Sequence, residues 1–352
     1  MSFLFQKVKE QFNNKLPLVC YCKPNSDKII AFFQKDARLV ELKNDAFGFA
    51  FVSFDNEKRY LIPEDNSDIF FETVSTSDFI FENRFVSEIN AFDKNNFENL
   101  VQSGIEAIKN RTFEKVVLSR KEIIDVDNFD VELVFKKLLF NYKTAFNYCF
   151  YHPKIGFWIG ATPEQFLKVE DDFVKTVSLA GTQTFEKNVE TVWQNKEIEE
   201  QQIVTDFIVN NLKSYSDNVI FSKPYNQQAG NLVHIKTDIK AAIKDRNSIS
   251  KIIDLLHPTP AVCGFPKDKA KKFIIKNEGY LREFYSGFLG EWNKDFQTYK
   301  ENHSDLFVNL RCMKIENKEV NLYIGCGITK DSNPEKELIE TQNKSLTIKK
   351  VL

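Results

Sequence analysis

FVNLRCMKIENKEVNLYIGCGITKDSNPEKELIETQNKSLTIKK, residues 307–350, is the stretch that decides the fold. Its apolar runs belong to strands predicted at 304–315 and 319–328, with polar residues between them in the manner of a hairpin. The sequence SNPE at 332–335 then gives the start signals of a helix, a capping-box pattern with proline in the first turn. We therefore predict two neighbouring strands followed by a C-terminal helix over 333–350.

Upstream of this stretch, apolar runs typical of strands alternate with amphipathic segments typical of helices. Residues 17–75 contain short apolar runs between turn residues, which indicates a strand-rich N-terminal part. Further strands are predicted at 115–119, in four runs between 147 and 180, and at 218–222, 231–242 and 283–292. Helices are predicted at 93–112, 129–143, 188–214, 248–256 and 266–276. Runs of strands interrupted by helices predict an α+β fold with large, mostly antiparallel sheets.

The composition argues against several classes of protein. The chain has 352 residues, 42% of them hydrophobic, and a formal net charge of −2, so no global field draws it to nucleic acid or an anionic membrane. Its six cysteines include no C-x-x-C pair, which argues against a zinc site and favours reduced, buried thiols. The sequence has neither an apolar signal region nor an apolar run of 18 residues. We therefore expect a cytoplasmic protein that binds neither nucleic acid nor membrane.

Three charged residues of the C-terminal helix are candidates for ligand binding. Glu337, Glu340 and Lys344 are spaced i, i+3, i+7 and therefore fall on one helical face. A solvated face with ion pairs is the common explanation of such a pattern. However, YIGCGIT at 323–329 would present backbone N–H groups just before the helix, and that arrangement suits an anionic ligand.

Seven further segments combine reactive side chains with turn, strand or helix signals. They are KVVLSR with Lys115, GATPEQ with Glu164, LAGTQ with Gly181 and Thr182, NKEIEEQQIV with Glu200, LLHPTPAVCGFP with His257 and Thr259, REFYSGFLG with Tyr285, and FVNLRCMKI with Arg311. Taken singly, most of them need no function to explain them, because edge charges, turns and solvated helix faces have the same patterns. Arg311 is less easily explained, since a guanidinium in an apolar run needs an anionic partner.

In this order along the chain, the segments resemble the chorismate-binding family of isochorismate, salicylate, anthranilate and aminodeoxychorismate synthases. The resemblance covers roughly residues 100–350. It implies the fold of anthranilate synthase component I, a large single domain of two packed, mostly antiparallel sheets with flanking helices. Residues 1–92 would be a strand-rich N-terminal part of that fold, and 93–352 the chorismate-binding catalytic region. The resemblance also implies chorismate as substrate and Mg²⁺ as cofactor.

The resemblance assigns catalytic and metal-binding roles to five residues. Lys115 would be the general base and Glu164 the general acid. Mg²⁺ would be held by Glu200 and Glu340, and Glu337 would support it through water. These roles fit the implied chemistry, which needs a base on one side of a ring and an acid at the leaving oxygen. A Mg²⁺ ion bound by one or two protein carboxylates also leaves room for a substrate carboxylate.

Nine further residues would bind the substrate, a dianion that needs fixed cations and oriented donors. They divide into a site for the enolpyruvyl carboxylate (Tyr285, Arg311), a site for the other carboxylate (Lys344 and the backbone at Gly325), the wall of the ring site (Gly181, Thr182, His234) and a rigid proline-rich loop (His257, Thr259).

Lysine at position 115 distinguishes between branches of the family. Members that install an amine are similar in having a non-basic residue there, commonly glutamine, and in drawing ammonia from a glutaminase partner. Lys115 therefore favours water as the nucleophile and no glutaminase subunit. The loop LHPTPAV at 256–262 resembles that of isochorismate synthases. We therefore expect reversible conversion of chorismate to isochorismate, for menaquinone or siderophore biosynthesis, and a monomer would suffice for this chemistry.

Three alternatives stay open at this point. A salicylate synthase would form isochorismate and then eliminate pyruvate, and an amine-transferring synthase would add ammonia instead of water. A non-catalytic relative would bind chorismate without converting it. The intact residues Lys115, Glu164, Glu200 and Glu340 argue against the non-catalytic alternative.

Overall fold

The computed structural model describes residues 3–73, 90–185, 191–229 and 232–352. Within these ranges the chain forms seven α-helices, one 3₁₀ helix at Arg246–Ser248 and twenty-one strands. The helices are α1 (Phe3–Asn13), α2 (Ala91–Lys109), α3 (Val131–Asn141), α4 (Asn195–Leu212), α5 (Ile249–Leu256), α6 (Lys267–Asn277) and α7 (Pro334–Lys349). The strands are β1 (Leu18–Cys22), β2 (Lys28–Gln34), β3 (Val40–Glu41), β4 (Gly48–Val52), β5 (Arg59–Pro63), β6 (Ser67–Thr73), β7 (Lys115–Asp125), β8 (Phe146–His152), β9 (Gly156–Thr162), β10 (Gln165–Glu170), β11 (Phe173–Thr184), β12 (Val219–Phe221), β13 (Tyr225–Ala229), β14 (Leu232–Ala242), β15 (Gly264–Phe265), β16 (Phe288–Trp292), β17 (Lys294–Asp295), β18 (Lys300–Glu301), β19 (His303–Val308), β20 (Cys312–Glu316) and β21 (Glu319–Ile328).

Nineteen of these strands form two large sheets, and β17 and β18 form a separate two-stranded sheet. Every pairing within the described ranges is antiparallel. The first sheet has the order β15–β7–β21–β20–β9–β8–β1–β2–β6. The second has the order β12–β14–β11–β10–β19–β16–β4–β5–β3, and β13 also pairs with β14. Strands from the N-terminal part of the chain join both sheets. The predicted α+β fold of two antiparallel sheets is therefore confirmed.

A layer of aromatic side chains fills the space between the two sheets. Phe51 of β4, in the second sheet, stacks on Phe150 of β8, in the first, with ring centroids 4.2 Å apart. Phe51 also stacks on Phe284 at 4.3 Å, and Trp158 is fully buried in the same cluster. Because helices cover the outer faces, a strand such as β4 is buried at every position and reads as a continuous apolar run.

Helices pack on the outer faces of both sheets through their apolar sides. The helices α1 and α3 lie against the first sheet, and α4 and α5 lie against the second. The helices α2 and α6 cover the end of the first sheet that contains β7 and β21. This arrangement places α4 and α7 around a common cavity, and both helices carry predicted site residues.

The structure also bears on two expectations from composition. All six cysteines are buried and outside any disulfide, as predicted for reduced thiols. In the described part of the chain, no helix combines the length and the apolar character that a membrane span needs.

Several predicted element bounds differ from the structure. The run 304–315 is two strands rather than one, because β19 belongs to the second sheet and β20 to the first. Apolar character continues through both strands, so it does not reveal the change of sheet. The helix predicted from 188 begins at Asn195; residues 191–194 are non-helical, and 188–190 lie outside the described residues. The strand predicted at 283–292 begins at Phe288.

Two helix starts also differ from the predictions. The C-terminal helix is capped by Asn333 rather than Ser332, and the Asn333 side chain accepts a hydrogen bond from the Lys336 N–H at 3.1 Å. Helix α1 was not predicted; its apolar residues Leu4 and Phe5 are buried against the first sheet. At α7, the local cap decides which residue begins the helix. At α1, packing of the apolar residues against the sheet stabilises a helix that the residue pattern alone did not predict.

Two of the places where the chain crosses between the sheets lie side by side. The strand β9 of the first sheet is followed directly by β10 of the second, and Glu164 lies at this crossing. The strand β19 of the second sheet is followed by β20 of the first, and Arg311 lies at that crossing with a positive φ of 48°. We call these segments, residues 163–164 and 309–311, the paired crossings.

Backbone hydrogen bonds join the paired crossings to each other. The Val308 N–H donates to the Glu164 carbonyl at 3.0 Å, and the Ala161 N–H donates to the Arg311 carbonyl at 3.1 Å. Glycine at position 160 permits this close approach, since a Cβ there would lie 2.8 Å from the Arg311 carbonyl oxygen. The paired crossings therefore place Glu164 and Arg311 in one backbone unit.

We expect Phe51→Ala to lower the free energy of unfolding by about 3–5 kcal/mol, because it leaves a cavity between the two sheets. Phe92→Ala is the matched control, since the Phe92 side chain is 74% exposed and its loss should cost under about 0.5 kcal/mol. Denaturant unfolding of both variants measures the difference. Equal stability of the two variants would show that the aromatic layer does not hold the sheets together.

Candidate active site

A small cavity lies beside the paired crossings, and most of the predicted site residues line it. Its volume is about 60 Å³. The predicted residues in its lining are Glu164, Gly181, Thr182, Glu200, His234, Tyr285, Arg311, Gly325 and Lys344. A second cavity of about 560 Å³, between α4 and α7, shares Thr182 with the first and is lined by Glu337 and Glu340. The fold thus brings together residues that are far apart in sequence.

Glu164 is a buried carboxyl group at the first of the paired crossings. Burial raises the pKa of Glu164 to about 7, although the cations Lys115, Arg311 and Lys344 act in the opposite direction. A carboxyl group with this pKa is protonated in a large fraction of molecules near neutral pH. It can therefore donate a proton to a leaving group.

Lys115 is the first residue of β7, and its side chain is fully buried. Strand β15 fixes its backbone through the pairing of Phe265 with Lys115, and β21 pairs along the rest of β7. The Lys115 Nζ lies 3.1 Å from Glu200 Oε1. Glu200 lines the small cavity, so this ion pair connects Lys115 to the cavity.

The three glutamates predicted to bind metal are each paired with a lysine. The pairs are Lys115–Glu200, Lys196–Glu337 and Lys344–Glu340. The Lys344 Nζ is 2.5 Å from Glu340 Oε1 and also donates to the Gly325 carbonyl at 3.1 Å. These contacts join α4, α7 and β7 around the two cavities.

The glutamates fit a hard divalent cation by their chemistry. Glu337 Oε2 is buried and has no hydrogen-bond partner among the described residues. Burial and the neighbouring Glu340 carboxylate raise the pKa of Glu337, so this carboxylate would gain from a nearby cation. Glycine at position 327 makes room for Glu200, since a Cβ there would lie 2.0 Å from Glu200 Oε1.

The same glutamates do not converge on a common point. Within the described ranges, no group of three histidine, cysteine, aspartate or glutamate side chains has the arrangement of a metal site. Mg²⁺ often uses only one or two protein carboxylates, with water and substrate oxygens as its other ligands. Glu200 and Glu340, with Glu337 in support, are the carboxylates that would hold such an ion.

His234 presents a hydrogen-bond acceptor to the cavity. Its Nδ1 lies 3.1 Å from the Gly181 carbonyl oxygen, which can only accept, so Nδ1 carries the proton and donates. The Nε2 atom is then an unprotonated acceptor, and it has no hydrogen-bond partner among the described residues. Burial, with Arg311 and Lys344 nearby, lowers the pKa of His234 to about 3, which keeps the ring neutral.

A bulge in β11 produces this geometry. The register of β11 against β14 shifts between Ala180 and Thr182, where Gly181 has a positive φ of 70°. The Thr182 hydroxyl lies 3.2 Å from His234 Nδ1. The three residues predicted to line a ring site, Gly181, Thr182 and His234, are therefore neighbours in the structure.

Tyr285 and Gly325 approach each other closely on another wall of the cavity. A Cβ at Gly325 would lie 2.8 Å from the Tyr285 hydroxyl oxygen, so glycine leaves the space that this hydroxyl occupies. The Tyr285 ring stacks on Tyr323 at 5.5 Å, which holds it in place. Arg311 lies in the same lining and is partly buried.

The structure does not bring His257 and Thr259 to the cavity. His257 lies in the core, where its Nε2 is 3.0 Å from the Ser53 carbonyl oxygen and its ring packs edge-on against Phe166 and Phe288. The Thr259 carbonyl accepts hydrogen bonds from within its own loop. It is Ala261 and Val262, later in the same loop, that line the cavity. The proline-rich loop is a wall, but its polar residues face elsewhere.

Sequence reasoning did not single out several residues of the two cavities. Those of the small cavity are Val117, Pro163, Leu179, Ala180, Ala261, Val262, Ser286, Leu310, Cys326 and Gly327. Most are apolar residues next to a predicted site residue. A residue pattern does not distinguish the apolar wall of a cavity from the apolar core of the protein. Lys196, in the second cavity, could have been found, because it lies four residues before Glu200 on the predicted helix.

The sequence and the fold were compared with known proteins. The sequence profile of the family described as "Chorismate binding enzyme" matches residues 56–352. The isochorismate synthase DhbC of Bacillus subtilis is 28% identical over 200 residues, which are 54% of this chain and 49% of that protein. The isochorismate synthase MenF of Escherichia coli is 27% identical over 203 residues, 55% of this chain and 45% of that protein. The chain thus aligns with about half the length of these curated relatives.

Solved structures extend the similarity of fold over nearly the whole chain. A structure described as a putative 2,3-dihydroxybenzoate-specific isochorismate synthase, DhbC from Bacillus anthracis, has a TM-score of 0.79 at 22% identity and covers 98% of both chains. Anthranilate synthase component I from Streptococcus pneumoniae has a TM-score of 0.68 at 16% identity and covers 95% of this chain and 92% of its own. At these identities the similarity shows the fold alone. With the sequence profile matching most of the chain, the protein belongs to the family of chorismate-binding enzymes.

Proposed function

We propose that this protein is an isochorismate synthase, which converts chorismate reversibly to isochorismate with Mg²⁺ as cofactor. In this reaction, water adds at C2 of the ring, the double bond shifts and the C4 hydroxyl leaves as water. The observation that carries the proposal is one charged cluster with a buried lysine, Lys115, and a buried carboxyl group, Glu164, whose pKa is raised to about 7. Lys115 would take a proton from the attacking water, and Glu164 would give one to the departing hydroxyl.

The residues around this pair support a dianionic substrate. Arg311 and the Tyr285 hydroxyl would bind the enolpyruvyl carboxylate, and Lys344 would bind the other carboxylate beside Gly325. The neutral His234 would accept a hydrogen bond from a hydroxyl group at the ring through its unpartnered Nε2. Each contact uses a group that already lines the small cavity.

Glu200 and Glu340 would hold Mg²⁺ directly, and Glu337 would hold it through water. When bound, the cation supplies positive charge that neutralises and orients a substrate carboxylate. Glu200 would then give up part of its contact with Lys115, and the Lys115 ammonium group would release a proton to solvent. The resulting neutral amine would take a proton from the attacking water. The Lys344–Glu340 pair would loosen in the same way, and Lys344 would turn to the substrate.

Two ion pairs also connect the elements around the site. Lys115–Glu200 joins β7 to α4, and Lys196–Glu337 joins α4 to α7. Contacts to chorismate and Mg²⁺ would replace part of these ion pairs without leaving buried charges unpaired.

The direct test is incubation with chorismate and Mg²⁺, without ammonia, followed by chromatography. We expect isochorismate in a mixture with chorismate, approached from either side, because the reaction exchanges one allylic alcohol for another of similar energy. Excess EDTA should abolish the conversion. Stoichiometric pyruvate with salicylate would assign the protein to the salicylate-synthase branch, an aminated product would assign it to the amine-transferring branch, and no turnover would favour a binding role.

Lys115→Ala should lower kcat by about 10²–10⁴ while chorismate affinity stays within about threefold, because a general base acts on water more than on the bound substrate. Lys121→Ala is the matched control, since Lys121 lies on the same strand but is exposed. Steady-state kinetics and equilibrium binding separate the two effects. A Lys115→Ala enzyme with near-normal kcat would remove this lysine from the mechanism.

We expect kcat/KM to decrease as pH rises through about 7, because the free enzyme loses the proton that Glu164 must donate. The decrease in kcat should lie at higher pH, since a bound dianion disfavours a second negative charge at Glu164. Rate profiles from about pH 5.5 to about pH 9 measure both. The Glu164→Gln variant should lose most of its rate, and the decrease of kcat/KM near pH 7 should disappear. An unchanged pH profile would assign that decrease to another group.

A further inference from the structure

Lys196 is a partly buried cation of the second cavity to which the proposed reaction gives no role. It lies in the first turn of α4, and its ammonium group forms an ion pair with Glu337 of α7. The side chains are 19% and 1% exposed, so water screens the pair poorly. Burial alone would lower the pKa of Lys196, but the carboxylates of Glu337, Glu200 and Glu340 raise it above its ordinary value. All three proposed metal-binding glutamates therefore act on this one ammonium group.

Lys196 differs from the other two lysines that pair with these glutamates. Lys115 and Lys344 each have another partner in the proposed reaction, the attacking water and a substrate carboxylate. Lys196 has no such partner. Its ammonium group neutralises the Glu337 carboxylate, which a metal ion would otherwise neutralise. An ammonium group is a compact point charge with three donors, and it can take the electrostatic place of a metal ion among carboxylates.

We propose that Lys196 is a built-in counter-cation that competes with the divalent metal for the Glu337, Glu340 and Glu200 carboxylates. This inference rests on the proposed magnesium-dependent function. The ammonium group repels an incoming cation, so metal binding to the substrate-free protein is weakened. A dianionic substrate adds two negative charges at the same site and offsets that repulsion. Metal and substrate therefore bind more tightly together than separately, and linkage makes the effect reciprocal.

The test measures Mn²⁺ affinity, with Mn²⁺ as a spectroscopic probe of the magnesium site, by electron paramagnetic resonance on the full chain without chorismate. Lys196→Met should bind Mn²⁺ at least about tenfold more tightly than the unmodified protein, because a poorly screened positive charge is gone. Lys196→Arg retains the charge and should stay within about threefold of the unmodified protein.

Lys336→Met is the matched control for loss of one positive charge. Lys336 lines the same second cavity, but it is exposed, so solvent screens its charge. Its Mn²⁺ affinity should stay within about twofold of the unmodified protein. A thermal melt in EDTA checks that each variant is folded. Should Lys196→Met fail to fold, Lys196→Gln, which retains a donor for Glu337 without the charge, replaces it.

The same titrations with saturating chorismate measure the coupling. Chorismate should tighten Mn²⁺ binding to the unmodified protein by a larger factor than in the Lys196→Met variant. If both proteins bind Mn²⁺ equally without chorismate, Lys196 only joins α4 to α7 and the inference is wrong, while the magnesium site stands. If the unmodified protein binds no Mn²⁺ even with chorismate, the inference and the proposed cofactor both fail. Normal metal binding without isochorismate formation contradicts the proposed reaction alone.

Discussion

The hydrogen-bonded approach of two chain crossings between the sheets is the constraint on which the rest of this structure depends. At this point β9 passes to β10 and β19 passes to β20, and backbone hydrogen bonds join the two passages. The small cavity lies beside these passages, and Glu164 and Arg311 both line it. The same hydrogen bonds hold the backbones of Glu164 and Arg311 in place. Helices α4 and α7 then close the open side with their glutamates and lysines.

The electrostatics of the site follow from this enclosure. Glu200, Glu337 and Glu340 are each paired with a lysine, and Glu164 lies near Lys115, Arg311 and Lys344 with its pKa raised by burial. A buried charge without a partner is costly, and this pairing is what allows so many charged groups in one place. A dianionic substrate and a divalent cation carry opposite charges of equal size, so binding both together would leave the net charge of the site unchanged.

The sequence predicted the antiparallel two-sheet fold and, through the family resemblance, most of the residues that line the cavity. It could not predict that the apolar run around Arg311 changes sheets, because strand patterns report burial and not which neighbour is paired. His257 shows a different limit: a polar residue in a rigid loop can face the core as easily as the cavity, and here it bonds to the Ser53 carbonyl. The catalytic and metal-binding roles remain predictions, since geometry shows proximity and not chemistry.

The shared backbone of the paired crossings has a consequence for divergence within the family. Glycine at position 160 leaves no space for a side chain, and a change at either crossing would disturb the other through their hydrogen bonds. A substitution that shifts the backbone at Glu164 is therefore expected to shift the backbone at Arg311 as well. Helices α4 and α7 contribute their side chains from separate elements. Substitutions on these helices can change a side chain of the site without moving the backbone of the paired crossings.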